Sequence, residues 1–336
     1  MTPRELSDDT KAILLLCGRF DPREDAAPLT VSELNRLEAW LGQQGFRPAD
    51  LVDGPALARL GANPPLKLDP RRVEELLARG PAMALAIEQW RNKGMWILCR
   101  GEESYPPRLR AHLGKQAPPI LHGFGDASLL DAGGLAVVGS RDVDEIGSNW
   151  AESIARRAAG EGLTVISGAA RGVDQIAMRA SLDEGGSAVG VLADNLLPTV
   201  LRPDVRDALR SGRLVLISPY HPAAGFSIGN AMGRNKLIYG LADWACVVSA
   251  EVQKGGTWAG AEEELRRRPH VPVFVRLGDG VPAGNRELIA LGALPFPPAP
   301  WTSPFTELLS SAGSGSPASP NPTRQRSLFD SLEHEP

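Results

Sequence analysis

From Leu135 onward the chain alternates between short, unbroken apolar runs and longer segments whose apolar residues recur every three or four positions. The runs are LAVVG (135–139), LTVISG (163–168), SAVGVL (187–192), RLVLIS (213–218), WACVVSA (244–250) and VPVFVR (271–276). Each is too short for a helix and rich in β-branched residues. Each is also apolar at successive positions, as a strand must be when helices cover both faces of its sheet. Between the first two runs, Trp150, Ile154 and Ala158 fall four residues apart on one face of the segment Gly147 to Gly160, with Glu152, Arg156 and Arg157 turned to water. Strands alternating with helices in this way predict one doubly wound, mostly parallel, Rossmann-like α/β sheet of six strands.

Residues 1–100 carry a different rhythm. Val31, Leu34, Leu37, Trp40 and Leu41 stand at helical spacing, as do Val73, Leu76 and Leu77, and Pro and Gly separate the segments. A small N-terminal helical domain is expected there, the Rossmann-like domain over 101–297, and a tail over 298–336. After Pro300 the composition turns to AGSGSPASPNPT, which cannot bury enough apolar surface to offset the entropy of ordering it, so the tail is expected to be disordered.

Composition narrows the function classes. The formal net charge of -4 over 336 residues is close to neutral, so a nucleic-acid site must be a local basic patch rather than a whole-molecule field. Cys17, Cys99 and Cys246 sit singly in apolar runs and read as reduced core residues. The five histidines form no paired motif, so neither a metal nor another cofactor is expected. The early apolar stretch Ile13 to Cys17 is too short for a signal-peptide core or a membrane span. A cytoplasmic protein with no membrane partner is the expectation.

In an open α/β sheet ligands bind beyond the carboxyl ends of the strands, where helix N-termini and free amides converge. Four loops qualify. Gly139, Ser140 and Arg141 follow the first strand. In the second loop, from Ser167 to Asp174, Gly168 and Gly172 let the backbone approach a phosphate, Ser167 offers a hydroxyl, Arg171 a charge, and Asp174 a cap for the next helix. Gly233, Arg234, Asn235 and Lys236 are placed at the start of a helix ending near Leu241. Lys254, Gly255, Gly256 and Thr257 open the helix that carries Glu262 to Glu264. Lys236 and Lys254 are two of only six lysines in the chain. A Gly-rich turn is as often a tight connection as a phosphate cradle; four at the mouth of one sheet point to a ligand.

The same segments carry a family resemblance. YPPRLR (105–110), PPILHGFGD (118–126), AVVGSR (136–141), VISGAARGVDQIA (165–177), GRNK (233–236) and GNRELIALGA (284–293) occur in the order seen in the DNA-processing protein A (DprA/Smf) family, and over residues 100 to 297 the chain resembles a divergent member. The resemblance implies a non-catalytic, homodimeric protein that binds single-stranded DNA and works with a RecA-type recombinase in transformation or recombination. On this view Arg141, Ser167, Gly168, Arg171, Arg234, Asn235 and Lys236 line the pocket, and arginine forks bind the phosphate oxygens. The chain departs from the family pattern in several places. Met178 replaces a histidine, Ala193 to Pro198 replaces a tyrosine-proline element, GGTWAGA (255–261) stands for SGSLxTA, and the family's C-terminal winged helix is not expected.

Three further readings remain open. GGTWAGAEEEL (255–265) also resembles the loop of Rossmann-like nucleotide sensors and nucleoside-phosphate or NAD hydrolases, in which Glu262 or Glu263 would act on the ribosyl bond; the alternative is that these glutamates simply favour the N-terminal half of a helix. The apolar residues near Trp244 to Val248 are a candidate dimer contact, or a buried strand. In the tail, Gln325, Ser327, Leu328 and Phe329 match the pentapeptide by which bacterial proteins dock on the sliding clamp, with Leu328 and Phe329 as the apolar hook.

Overall fold

A computed structural model describes residues 6–20, 26–52, 54–278 and 280–313; the Gln325 to Phe329 motif lies outside them. The first part of the chain is helical: α1 (Asp8–Cys17), α2 (Val31–Gln44), α3 (Pro55–Ala62), α4 (Pro70–Leu77) and α5 (Gly80–Asn92). Local chemistry sets their starts. Ser7 and Asp69 cap α1 and α4, and Thr30 and Glu33 form a reciprocal capping box on α2.

Nine strands make one sheet: β1 (Trp96–Cys99), β2 (Ile120–Gly125), β3 (Leu135–Gly139), β4 (Val165–Ser167), β5 (Ala188–Val191), β6 (Leu214–Ser218), β7 (Trp244–Ser249), β8 (Val273–Val275) and β9 (Leu294–Pro295). Their order is β1-β2-β6-β5-β4-β3-β7-β8-β9. All neighbours are parallel except β1–β2 and β2–β6, which are antiparallel. The connecting helices are α6 (Pro107–Leu113), α7 (Glu145–Gly160), α8 (Val173–Asp183), α9 (Leu196–Val200), α10 (Pro203–Arg210), α11 (Ile228–Leu241), α12 (Gly255–Arg266) and α13 (Ala283–Ala290); α14 (Phe305–Gly313) follows the last strand. From β3 the chain runs outward to β6, and α11 then carries it back to β7 on the other side of β3. The carboxyl ends of β3 and β7 are therefore the topological switch point, where crossover helices diverge and leave a crevice.

The six expected strands are all present, and three more flank them. β2 was hidden because ILHGFG has two glycines and a histidine; β1 and β9 are too short to show a period. β1 also moves the start of the sheet ahead of residue 100. The N-terminal helices share one core with the sheet, since Leu14, Leu16, Leu34 and Leu37 pack in the same cluster as Phe124, Ala188 and Leu214. A second correction concerns the tail, which does not begin at 298. Phe305 and Leu309 are fully buried beside Phe274 and Ile154, Phe296, Trp301 and Phe305 stack edge-to-face, and the Phe305 amide donates to Glu161 Oε2 at 2.6 Å. Of the two readings of the run near Trp244 to Val248, the structure shows the buried strand: β7 runs between β3 and β8 with Ala245 to Val248 fully buried. Among the described residues no helix is long and apolar enough to cross a membrane, and no group of three or more His, Cys, Asp or Glu side chains is arranged to hold a metal ion.

Candidate functional site

A cavity of roughly 930 Å³ opens at the switch point. Its walls are the loop after β3 (Gly139 to Asp142), the α12 N-terminus with its preceding loop (Glu251 to Trp258), and one face of α11 carrying Ile228, Met232, Arg234 and Asn235. The walls are tied together by side chains that are spent in doing so. Ser249 Oγ accepts from the Ser140 amide at 3.1 Å, Thr257 Oγ1 donates to the Gly139 carbonyl at 2.9 Å, and Asn235 Nδ2 donates to the Gly256 carbonyl at 2.8 Å. No side chain caps α12. Gly255 enters the helix at φ +78°, and this first turn, at the positive end of the helix dipole, lines the cavity.

Arg234 is the electrostatic centre. It stands mid-helix on α11 and is 5% exposed. Its guanidinium lies where a side chain at residue 168 would begin, which is why that position is glycine. The acid within 4 Å of it is Asp174, with Nη2 to Oδ2 at 3.8 Å and Asp194 further off, and the Nε and Nη1 atoms are buried with no hydrogen-bond partner. Desolvation lowers the Arg234 pKa, and the charge of Asp174 partly opposes this; burial likewise raises the Asp174 pKa against the pull of Arg234. An arginine held in this way, half-compensated and without its full set of acceptors, costs stability. It regains interaction energy when an oxyanion enters the fork.

The structure sorts the sequence-derived residues into separate roles. Gly139, Ser140, Arg141, Arg234, Asn235, Lys254, Gly255, Gly256 and Thr257 converge on the cavity. Ser167 does not: fully buried, its hydroxyl donates to the Val137 carbonyl at 2.6 Å. Gly172, at φ +86°, is needed because a side chain there would strike the Ser140 and Arg141 carbonyls. Arg171 points to solvent and pairs with Asp142 at 2.6 Å, while Lys254 pairs with Glu251 at 2.7 Å, both highly exposed. Asp174 lies in the first turn of α8 beside Arg234 rather than at its cap, which is Gly172. The GRNK element lies inside α11 and not at its start, so its side chains and not its amides are available. Glu262 and Glu263 are engaged with Arg266 at 2.7 Å and Arg267 at 3.5 Å, one helical turn on.

Two residues that the sequence reading passed over complete the mouth. Phe226, half-exposed on the loop after β6, has the Arg141 guanidinium 4.8 Å from its ring centre, and Ile228 stands beside it, largely exposed. An exposed aromatic face backed by a cation is a platform for a planar, electron-rich group. The only sequence signal was a lone Phe within an otherwise small and polar loop.

Lys236 faces elsewhere. Two residues on from Arg234, and so about 200° around α11, it lines a second groove of roughly 630 Å³ with Arg19, Thr30, His122, Tyr220 and His221. His122 packs edge-on against Trp90, with centroids 5.2 Å apart. Burial, with the nearby His221, lowers its pKa from 6.5 to about 3. The sign follows directly. Below pH 6.5 the unfolded chain takes up a proton that the folded chain refuses, so this stability is present above 6.5 and is lost as pH falls towards 3. Denaturant titrations at pH 6.5 and 5 should show wild type losing about 2 kcal/mol more than His122→Phe; parallel losses would refute the buried neutral imidazole.

Fold and site together define a protein of the doubly wound α/β class, with a cavity at the switch point that holds a buried arginine. A model of the DNA recombination-mediator protein A family matches residues 96–297, more than half of the 336 residues, and the chain belongs to that family. It is 34% identical over 158 residues to protein Smf of Escherichia coli K12, covering 46% of this chain and 41% of that one. It is 32% identical over 183 residues to DNA processing protein DprA of Streptococcus pneumoniae R6, covering 53% and 63%. These matches span only 41% and 63% of the two relatives. The X-ray structure of DprA from Streptococcus pneumoniae superposes with a TM-score of 0.66 at 20% identity, over 86% of this chain and 94% of that one. A Helicobacter pylori DprA structure, described as giving insights into a single-stranded DNA binding mode, superposes at 0.51 with 21% identity, over 65% and 94%. At these identities the likeness establishes the fold.

Proposed function

We propose that this chain binds single-stranded DNA at the switch-point cavity, non-catalytically, in DNA processing linked to transformation or recombination. Arg234 carries the reading: a buried guanidinium with two unpartnered nitrogens, in a cavity of nucleotide size, calls for an anionic ligand. Phosphate oxygens fit its fork and the α12 amides, and a base fits the face of Phe226. The family supports the same reading, as does the name of the Helicobacter pylori relative. A RecA-type recombinase as recipient and a homodimeric state follow from the family resemblance alone.

Fluorescence anisotropy with labelled oligo-dT and the matching duplex tests this. Single strands should bind more tightly than duplex, and log affinity should fall against log salt with a slope of about -0.7 per phosphate neutralised. Phe226→Ala should weaken oligo-dT by about 1–3 kcal/mol, the worth of one stacked base, with thermal stability unchanged. Turnover of NAD or AMP without oligo-dT binding would sink the proposal and favour the hydrolase reading.

A further inference from the structure

Resting on that reading, we propose that the groove walled by His122, Lys236, Tyr220 and Arg19 is a second subsite, taking one nucleotide unit whose phosphate meets Lys236 and whose base lies on the apolar floor. The placement comes first. α11 presents Arg234 to one pocket and Lys236 to the other, and its first turns, with Asn230 in the groove and Ala231 and Met232 in the cavity, are the ridge between them. A strand anchored on Arg234 reaches the groove by crossing that ridge, past the exposed Ile228 and Met232.

The chemistry of the groove matches a nucleotide part by part. Lys236 is half-buried, and burial lowers its pKa, with the Glu263 charge opposing this and that of Arg267 adding to it; it makes no ion pair within 4 Å among the described residues, so an incoming phosphate meets a partly desolvated ammonium. Arg19 offers a second cation from the end of α1. Leu29, Ile120, Leu237 and prolines 118, 119 and 219 form an apolar floor. His122 lies in the wall, 4% exposed, with Nδ1 buried and without a hydrogen-bond partner. A neutral imidazole carries one donor and one acceptor nitrogen, and a base edge presents both kinds of partner. The nucleotide could belong to the bound strand or come as a free mononucleotide; the two share this chemistry.

The test uses the full chain, oligo-dT of about four and about fifteen nucleotides, and free dTMP. Arg234→Met should weaken both oligomers. Lys236→Ala should leave the shorter one unchanged, weaken the longer one, and reduce its salt slope by about 0.7. The imidazole nitrogen resonances of His122 should move when the longer oligomer is added; this readout keeps the test open should a His122→Gln variant fail to fold. Shifts with dTMP as well, lost in Lys236→Ala, would assign the site to free mononucleotides too. If Lys236→Ala matches wild type at both lengths and the His122 resonances stay still while Arg234→Met abolishes binding, the second subsite is overturned and the cavity reading stands. If wild type binds neither oligomer, both fall.

Discussion

Arg234→Met is expected to weaken single-stranded DNA binding about a hundredfold, the ~3 kcal/mol that a charged fork to phosphate contributes in a desolvated site. Its effect on stability should run the other way. Arg234 is buried with two unsatisfied nitrogens and a 3.8 Å ion pair, so an apolar side chain of similar length removes a cost. The remaining liability is Asp174, buried and now without its cation. Burial already raises its pKa, and loss of Arg234 raises it further. A raised carboxylate pKa means that the folded chain holds a proton the unfolded chain has released. The variant should therefore be most stable at low pH and lose stability as pH rises through that pKa. Asp174→Asn on top of Arg234→Met should remove the pH dependence and match or exceed wild-type stability at neutral pH. Denaturant midpoints across pH, alongside oligo-dT anisotropy, measure both sides. A double variant that binds like wild type would show that the cavity is not the site.

The second large effect is expected at Gly168. Its backbone does not occupy the left-handed region, so alanine is conformationally permitted, but the new methyl would occupy the space of the Arg234 guanidinium. Gly168→Ala should displace that group from the cavity and reduce oligo-dT affinity at least about tenfold, with the fold retained. The diagnosis is made by a double-mutant cycle. Because the damage passes through Arg234, adding Gly168→Ala to Arg234→Met should cost almost nothing further in binding. Additive losses measured by titration calorimetry would mean that Gly168 acts on the ligand directly. Arg171→Ala, by contrast, removes an exposed charge that does not line the cavity and is already paired with Asp142 on its wall, and its effect should be small.

Much of this was legible in the chain itself. Six apolar runs alternating with helical segments define the parallel core, because strands covered on both faces are apolar throughout and crossovers need helices. The loops following those runs point to the carboxyl edge, and glycines at 139, 172 and 255 mark close backbone approaches and left-handed turns that the structure requires. The family signatures between 96 and 297 lie in the same order.

What each residue does in the site was decided by tertiary packing. Ser167, Arg171 and Arg234 read alike as phosphate ligands in sequence, yet one is turned into a neighbouring strand, one into solvent and one into the cavity. The run GRNK looks like one element, but a helix turns 100° per residue and so sends Arg234 and Lys236 into different pockets. β2 and α14 likewise depend on partners distant in sequence, β6 for one and the α7 face for the other, and show no period of their own. Local pattern specifies elements because periodicity is a property of consecutive residues. Desolvation, pairing and convergence are properties of neighbours in space, so only the folded chain makes Arg234 the buried, half-satisfied charge on which the proposed function rests.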